Sequence, residues 1–78
     1  APYQARGQSL MATGKYEPAI EDFNAALNVN ANNSEAWADI GLCYEKLNNH
    51  AKAVESYQRA VTVNPNNGEA RAALQRLS

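Results

Sequence analysis

The sequence predicts an all-α fold built from antiparallel helix pairs stacked side by side. The first observation is a repeat. One 34-residue unit occurs twice: Trp37 lies 34 positions after Tyr3, and Gly41 lies 34 after Gly7. The same step carries Ala19 onto Ala53, Glu21 onto Glu55, Ala26 onto Ala60 and Val29 onto Val63. It also carries Asn30-Ala31-Asn32-Asn33 onto Asn64-Pro65-Asn66-Asn67. A fixed period in this range marks a stacked helical repeat, in which each unit buries an apolar face against its neighbour. The second observation is periodicity. Ala36, Ile40, Cys43, Tyr44 and Leu47 recur at three- and four-residue steps, as do Ala53, Val54, Tyr57, Ala60, Val61 and Val63. That spacing lines one face of an α-helix. Third, no β-alternation or hairpin signal competes.

Five helical segments follow, over residues 1–13, 17–29, 35–47, 51–63 and 69–77. Gly14 ends the first. Pro18 falls in the first turn of the second, where a missing N–H leaves no hydrogen bond unmade. The third is expected to begin at a capping-box variant, with Asn32 as acceptor cap and Glu35 three residues on. Asn48-Asn49 separates it from the fourth, because Asn tolerates the left-handed backbone of a helix end. Asn66 and Glu69 repeat the capping arrangement before the fifth, whose Ala70, Ala73, Leu74 and Leu77 face inward. Connections of a few residues make successive helices antiparallel neighbours. Gly41 and Ala60 are small residues on apolar faces; they let helix axes approach, and Tyr57 fills the space beside them.

Bulk properties bound the function. The chain has 78 residues, enough for one small domain. Its net charge is −1 and no basic block is present, so the electrostatic footprint of nucleic-acid binding is missing. No apolar run approaches the roughly 18 residues that a membrane-spanning helix needs. The single cysteine, Cys43, allows no internal disulfide and declares no redox compartment. An aqueous setting is expected, the cytoplasm ahead of the periplasm. The chain opens on Ala1-Pro2 without an initiator Met, as a cut or processed product would.

These residues together resemble the tetratricopeptide repeat family. That family favours Trp, Leu, Gly and Tyr on the first helix of each unit, Ala, Phe and Ala on the second, and Pro after it. The second unit supplies Trp37, Ile40, Gly41, Tyr44, Ala53, Tyr57, Ala60 and Pro65. The first supplies Tyr3, Gly7, Leu10, Ala19, Phe23 and Ala26, and departs at Arg6 and Ala31. The resemblance covers residues 1–67 and implies a short right-handed α-solenoid: one repeat over 1–33, a second over 34–67 and a capping helix over 68–78. It also implies that each first helix packs on the second helix of the preceding unit. That row holds Ala36, Cys43 and Leu47 in the second unit but the more polar Pro2, Ser9 and Thr13 in the first. At the other end Arg71 stands in the place of Trp37 and Gln75 in that of Gly41. Both ends thus look adapted to water, which favours a self-contained array over a slice of a longer one.

The resemblance implies a protein-protein interaction module whose first helices line a concave groove for a peptide or helix. Its rows fall on Gln4, Ala5, Gln8, Met11 and Ala12, then Glu35, Ala38, Asp39, Leu42, Glu45 and Lys46, then Glu69, Ala72, Ala73 and Arg76. These could equally be the solvated faces of three helices. Met11 and Leu42 are apolar on this polar face and are the candidate anchors. Some family members grip the acidic C-terminus of a heat-shock protein with Lys, Asn and Arg. The corresponding positions here are Gln4, Gln8, Asp39, Glu69 and Ala73, with no cation among them. Like charges would face the carboxylates of such a tail, so an acidic chaperone tail is excluded and a neutral or basic segment expected. The alternatives are a self-assembly domain with its groove unused, or the recognition arm of a larger protein.

Catalysis needs a nucleophile–base pair, paired carboxylates in a cleft, a metal cluster or a phosphate loop. Cys43 reads as a buried structural thiol and His50 as a packing or capping residue, since no ligand partners stand at metal spacing. The glycines lack phosphate-binding spacing. Glu17 with Glu21, and Glu35 with Asp39, read as solvated helix faces. No enzyme activity, cofactor or metal is therefore expected. Trp37 and Tyr3 read as packing between units. Arg6 sits on an inward row, with its stem along the helix pair and its head in water, or else paired with a carboxylate across a chain–chain contact. Glu55 and Arg59 are spaced for an i, i+4 pair.

Overall fold

The computed structural model describes residues 2–77. Five helices follow one another: α1 (Tyr3–Ala12), α2 (Tyr16–Val29), α3 (Ser34–Lys46), α4 (His50–Val63) and α5 (Gly68–Leu77). Each matches its predicted span to within two residues; the predicted start at Ala1 lies outside the described residues.

The ends of α1 and α3 are stopped by the same device. Lys15 N–H donates to Leu10 O at 2.9 Å and Gly14 N–H to Met11 O at 3.1 Å. Thirty-four residues on, Asn49 N–H donates to Tyr44 O at 2.8 Å and Asn48 N–H to Glu45 O at 3.0 Å. This pattern needs a left-handed residue, which Gly14 (φ 84°) and Asn48 (φ 63°) provide. The predicted caps of α3 and α5 are corrected by one residue. Asn33 Oδ1 accepts from Ala36 N–H, and Asn67 Oδ1 from Ala70 N–H, so Asn33 and Asn67 are the caps and not Asn32 and Asn66. Ahead of each cap Asn30 and Asn64 turn the chain, their side-chain oxygens accepting from the N–H of Asn32 and Asn66. Asn49 caps α4 through Lys52 N–H. The first residues of α2 have no side-chain cap, and its third residue is Pro18, which has no N–H to cap.

The core is in two parts joined through α3. Ala19, Ile20, Phe23 and Leu27 of α2 pack with Ala36, Ile40 and Cys43 of α3. Ala38 packs with Ala53, Tyr57 and Ala60 of α4 and with Ala70 and Ala73 of α5. Trp37 and Tyr44 touch both parts. Close helix approach rests on two glycines. A Cβ on Gly7 would lie 2.9 Å from the Phe23 ring, and one on Gly41 would lie 3.0 Å from the Tyr57 ring. Neither position has room for a side chain. Leu74 and Leu77 of α5 close the second part, as the inward row predicted.

Arg6 differs from both expectations. Its guanidinium makes two 2.8 Å hydrogen bonds to the Asp22 carboxylate of the same chain. The pair joins α1 to α2, and the Asp22 carboxyl is held below its ordinary range by Arg6. The spacing of Glu55 and Arg59 also misleads: Arg59 lies over the Trp37 ring, 5.7 Å from its centroid. Cys43 is fully buried, and burial together with the Asp39 charge pushes its thiol up to about 11. Such a thiol is protonated and unreactive at neutral pH.

Candidate partner-binding face

Some of the residues expected to line a groove meet across α1, α3 and α5, in two clusters of different character. The first is acidic. Gln8 on α1 reaches α3, where its Nε2 donates to Glu35 Oε1 at 3.0 Å and to Asp39 Oδ2 at 3.3 Å. Asp39 is buried at 6% exposure. Burial raises its pKa to about 6; the Gln8 hydrogen bond opposes the rise, and the charges of Glu69 and Glu35 add to it. Glu35 and Glu69 themselves are exposed. Three carboxylates therefore share this part of the face, two of them, Glu35 and Asp39, bridged by the neutral Gln8 amide. Beside them Gln4 Oε1 accepts from Asn33 Nδ2 at 2.6 Å, which ties α1 to the α3 cap.

The second cluster is a closed polar lock. Arg76 on α5 donates to Glu45 on α3 through both Nη atoms, at 2.6 and 3.2 Å. The Tyr57 hydroxyl of α4 donates to the same carboxylate at 2.6 Å. Arg76 holds the Glu45 carboxyl below its ordinary range. Tyr57 is pushed well above the usual phenol range, first by burial and then by Glu45. Three helices thus meet on one carboxylate, and the charges of Glu45 and Arg76 cancel each other.

The remaining candidates divide. Lys46 is exposed, and Ala5, Ala12 and Ala72 are exposed small residues. Ala38 of α3 and Ala73 of α5 are buried in the second core part, so they line no surface in this fold. Met11 is half-buried against the first core part, while Leu42 is half-buried outside both parts. Tyr57 was expected only as filler beside Gly41, and Asp22 was not singled out. A signal for each was present in the repeat. The 34-residue step maps Phe23, Met11 and Leu42 onto Tyr57, Glu45 and Arg76, so a polar trio replaces an apolar one as a set. It likewise maps Arg6 and Asp22 onto Ile40 and Ser56.

Comparison with known proteins places the fold. The family model "TPR repeat" matches residues 7–48, more than half of the chain, and "Tetratricopeptide repeat" matches residues 34–67. The chain belongs to the tetratricopeptide repeat family. Among solved structures, it is similar to the first tetratricopeptide domain of Spaghetti (RPAP3) bound to the HSP90 peptide SRMEEVD. The two are 25% identical with a TM-score of 0.89, over 96% of this chain and 60% of that one. The first domain of human RPAP3, solved by NMR, gives 25% identity and a TM-score of 0.90, over 96% and 59%. MamA gives 23% identity and a TM-score of 0.92, over 96% and 44%, which speaks to the fold alone. The chain thus spans about 60% or less of the length of these structures. No curated protein matches its sequence. No helix among the described residues is long and apolar enough to cross a membrane.

Proposed function

We propose that this tetratricopeptide domain is a protein-interaction module that takes a neutral or basic peptide or helix along α1, α3 and α5. The fold supports the general part, since a structure of the same architecture holds a peptide. The charge arrangement supports the specific part and carries it. Arg76 is neutralised by Glu45, whereas Glu35, Asp39 and Glu69 have no cation among their hydrogen-bond partners within the described residues. A segment bearing Lys or Arg would find complementary charge there; the peptide SRMEEVD, with its acidic end, would meet like charge. Leu42 is the apolar contact on the exposed part of the face. The division into two repeats over 1–33 and 34–67 with a closing helix fits this use, because it presents three first-type helices side by side.

A peptide array read against a charge-altered variant tests the reading. The wild type is expected to retain Lys- and Arg-containing peptides and to show no binding to SRMEEVD. Glu35→Lys combined with Glu69→Lys, both at exposed positions, should lose the basic hits. Leu42→Glu should weaken them while leaving helicity unchanged. It is a cleaner probe than Met11→Glu, which would also disturb the first core part. Array hits dominated by acidic C-termini would overturn the assignment.

A further inference from the structure

The equivalent caps Asn33 and Asn67 differ in the residue that follows them: Ser34 in one case, Gly68 in the other. Gly7 and Gly41 seat aromatic rings and Gly14 turns the chain, but Gly68 does neither. Among the described residues a Cβ at Gly68 would meet nothing within 4 Å, and its backbone is outside the left-handed region. A glycine at a helical position is otherwise unfavourable. What Gly68 does change is the chemistry of the peptide bond before it. Asn is a thermolabile residue. Its amide is lost when the backbone nitrogen of the next residue attacks the Asn Cγ, and a Cβ on that residue hinders the attack. Of the Asn residues in this chain, Asn67 alone is followed by glycine. Gly68 is exposed and begins α5, where an N–H has no partner inside the helix.

The Asn67 amide also holds a joint. Its Oδ1 accepts from Ala70 N–H at 3.0 Å, and its Nδ2 donates to Ser34 Oγ at 2.7 Å. Ser34 is buried and donates in turn to Ala60 O at 2.8 Å. One amide thus ties the start of α5 to α3 and, through Ser34, to the last turn of α4. A carboxylate in its place would keep the first bond, since aspartate caps a helix as asparagine does. It would not keep the second, because it has no proton to donate. Ser34 has one hydroxyl hydrogen, which can serve the new carboxylate or Ala60 but not both.

We propose that the Asn67–Gly68 peptide is a deamidation site, through which the joint between α3 and α5 is altered irreversibly. The Gly68 nitrogen gives its proton to a base and bonds to Asn67 Cγ. The Cγ–Nδ2 bond breaks and ammonia leaves. Water then opens the cyclic imide at either carbonyl. One opening gives aspartate; the other gives isoaspartate, in which the backbone runs through the former side chain and the cap is displaced by a methylene. The net change is amide plus water to acid plus ammonia. In the folded chain the amide is held by Ala70 and Ser34. Ring closure therefore waits for those bonds to break, and the product leaves the joint weaker than before.

Peptide mapping of the full chain aged in mildly alkaline buffer, with an isoaspartate assay, tests the site. Amide loss should appear at Asn67 and not at Asn33, its counterpart one step earlier. Gly68→Ser copies that earlier cap into open space and should slow the loss several-fold. Urea, which frees the amide, should speed it several-fold. Asn67→Asp makes one product directly. Its α5 amide hydrogens should exchange several-fold faster than those of the wild type, with α1 and α2 unchanged. Equal loss at Asn33, undiminished loss in Gly68→Ser or a rate indifferent to urea overturns the proposal. So does an Asn67→Asp chain whose α5 exchanges as the wild type does. The ageing measurements stand even if that variant fails to fold, and none of them involves peptide binding.

Discussion

The two repeats share a framework and differ in what they place at equivalent points. Gly7 against Phe23 and Gly41 against Tyr57 are the same joint, and Gly14 and Asn48 are the same helix stop. The differences come in sets. Repeat one has an Arg6–Asp22 ion pair where repeat two has buried Ile40 and Ser56. Phe23 and Met11 of repeat one and Leu42 of α3 stand where, one step on, Tyr57 and Glu45 of repeat two and Arg76 of the closing helix stand. The lesson is that position in the stack decides which chemistry a site can hold. An ion pair suits the open end, where Arg6 keeps its water; the middle of the stack demands an apolar or neutral pair.

The largest expected effect comes from moving the ion pair inward. Ile40 is 2% exposed, so Ile40→Arg buries an unpaired charge and should cost about 3–5 kcal/mol, enough to unfold much of a domain this small. Adding Ser56→Asp should restore part of that loss. The reciprocal change at the open end, Arg6→Ile with Asp22→Ser, should leave the melting temperature nearly unchanged. Urea denaturation of the three variants decides it; an Ile40→Arg protein as stable as wild type would remove the distinction between end and middle.

Asp39 comes next. Its repeat-one counterpart, Ala5, is exposed, whereas Asp39 is covered, with Gln8 on one side and Glu69 on the other. Its folded-state pKa is near 6, above its ordinary value of 3.8, so the folded chain binds the proton more tightly than the unfolded chain. This group's contribution therefore favours folding at low pH and is lost as pH rises from about 4 through 6. Asp22 and Glu45 run the other way, being lowered, and lose their contribution only as the solution becomes more acid. Asp39→Asn should raise stability at pH 7 by about 2–3 kcal/mol, the worth of two pKa units, and flatten the profile between pH 4 and 6.5. Unfolding curves at stepped pH values read this directly; no gain at pH 7 would mean that water reaches Asp39 freely.

The glycine joints are expected to differ more mildly. Gly41→Ala pushes a methyl onto the Tyr57 ring, which is fixed by burial and by Glu45. Gly7→Ala meets Phe23 at 2.9 Å, but α1 lies at the edge and can move outward. Overpacking should cost about 1–2 kcal/mol at Gly41 and less at Gly7, after the roughly 1 kcal/mol that Ala regains in helix propensity. Equal losses would show that α1 is held as firmly as α3.

How much of this was legible in the sequence follows from the same contrast. Helix spans, the Gly41 joint and the α5 inward row could be read because each depends on local periodicity or on residue size. The caps were displaced by one because Asn30 and Asn64, which turn the chain, look like the Asn residues that cap. The face was legible as a set of positions but not as contacts. Side chains such as Glu45 and Arg76 are 31 apart, and Arg6 and Asp22 are 16 apart, so their pairing depends on how helices are set together. Burial of Ala38 and Ala73 likewise depends on where α5 comes to rest.

The smallest expected effect isolates the polar lock. Tyr57→Phe removes one hydroxyl and its hydrogen bond, and Glu45 keeps Arg76, so the loss should be about 1 kcal/mol. Phe23→Tyr is the mirror change. Its new hydroxyl would enter a site whose neighbour by the repeat is Met11, with no carboxylate to receive it, and a buried hydroxyl without a partner should cost more, about 1–3 kcal/mol. Adding Met11→Glu and Leu42→Arg to Phe23→Tyr would rebuild the whole lock one step earlier, across α1, α2 and α3, and should recover stability beyond the sum of the separate changes. Such non-additivity is what a set of three residues acting through one carboxylate must show. If the three substitutions simply added, the polar trio would be three independent choices, and the correspondence between repeats would carry no structural meaning.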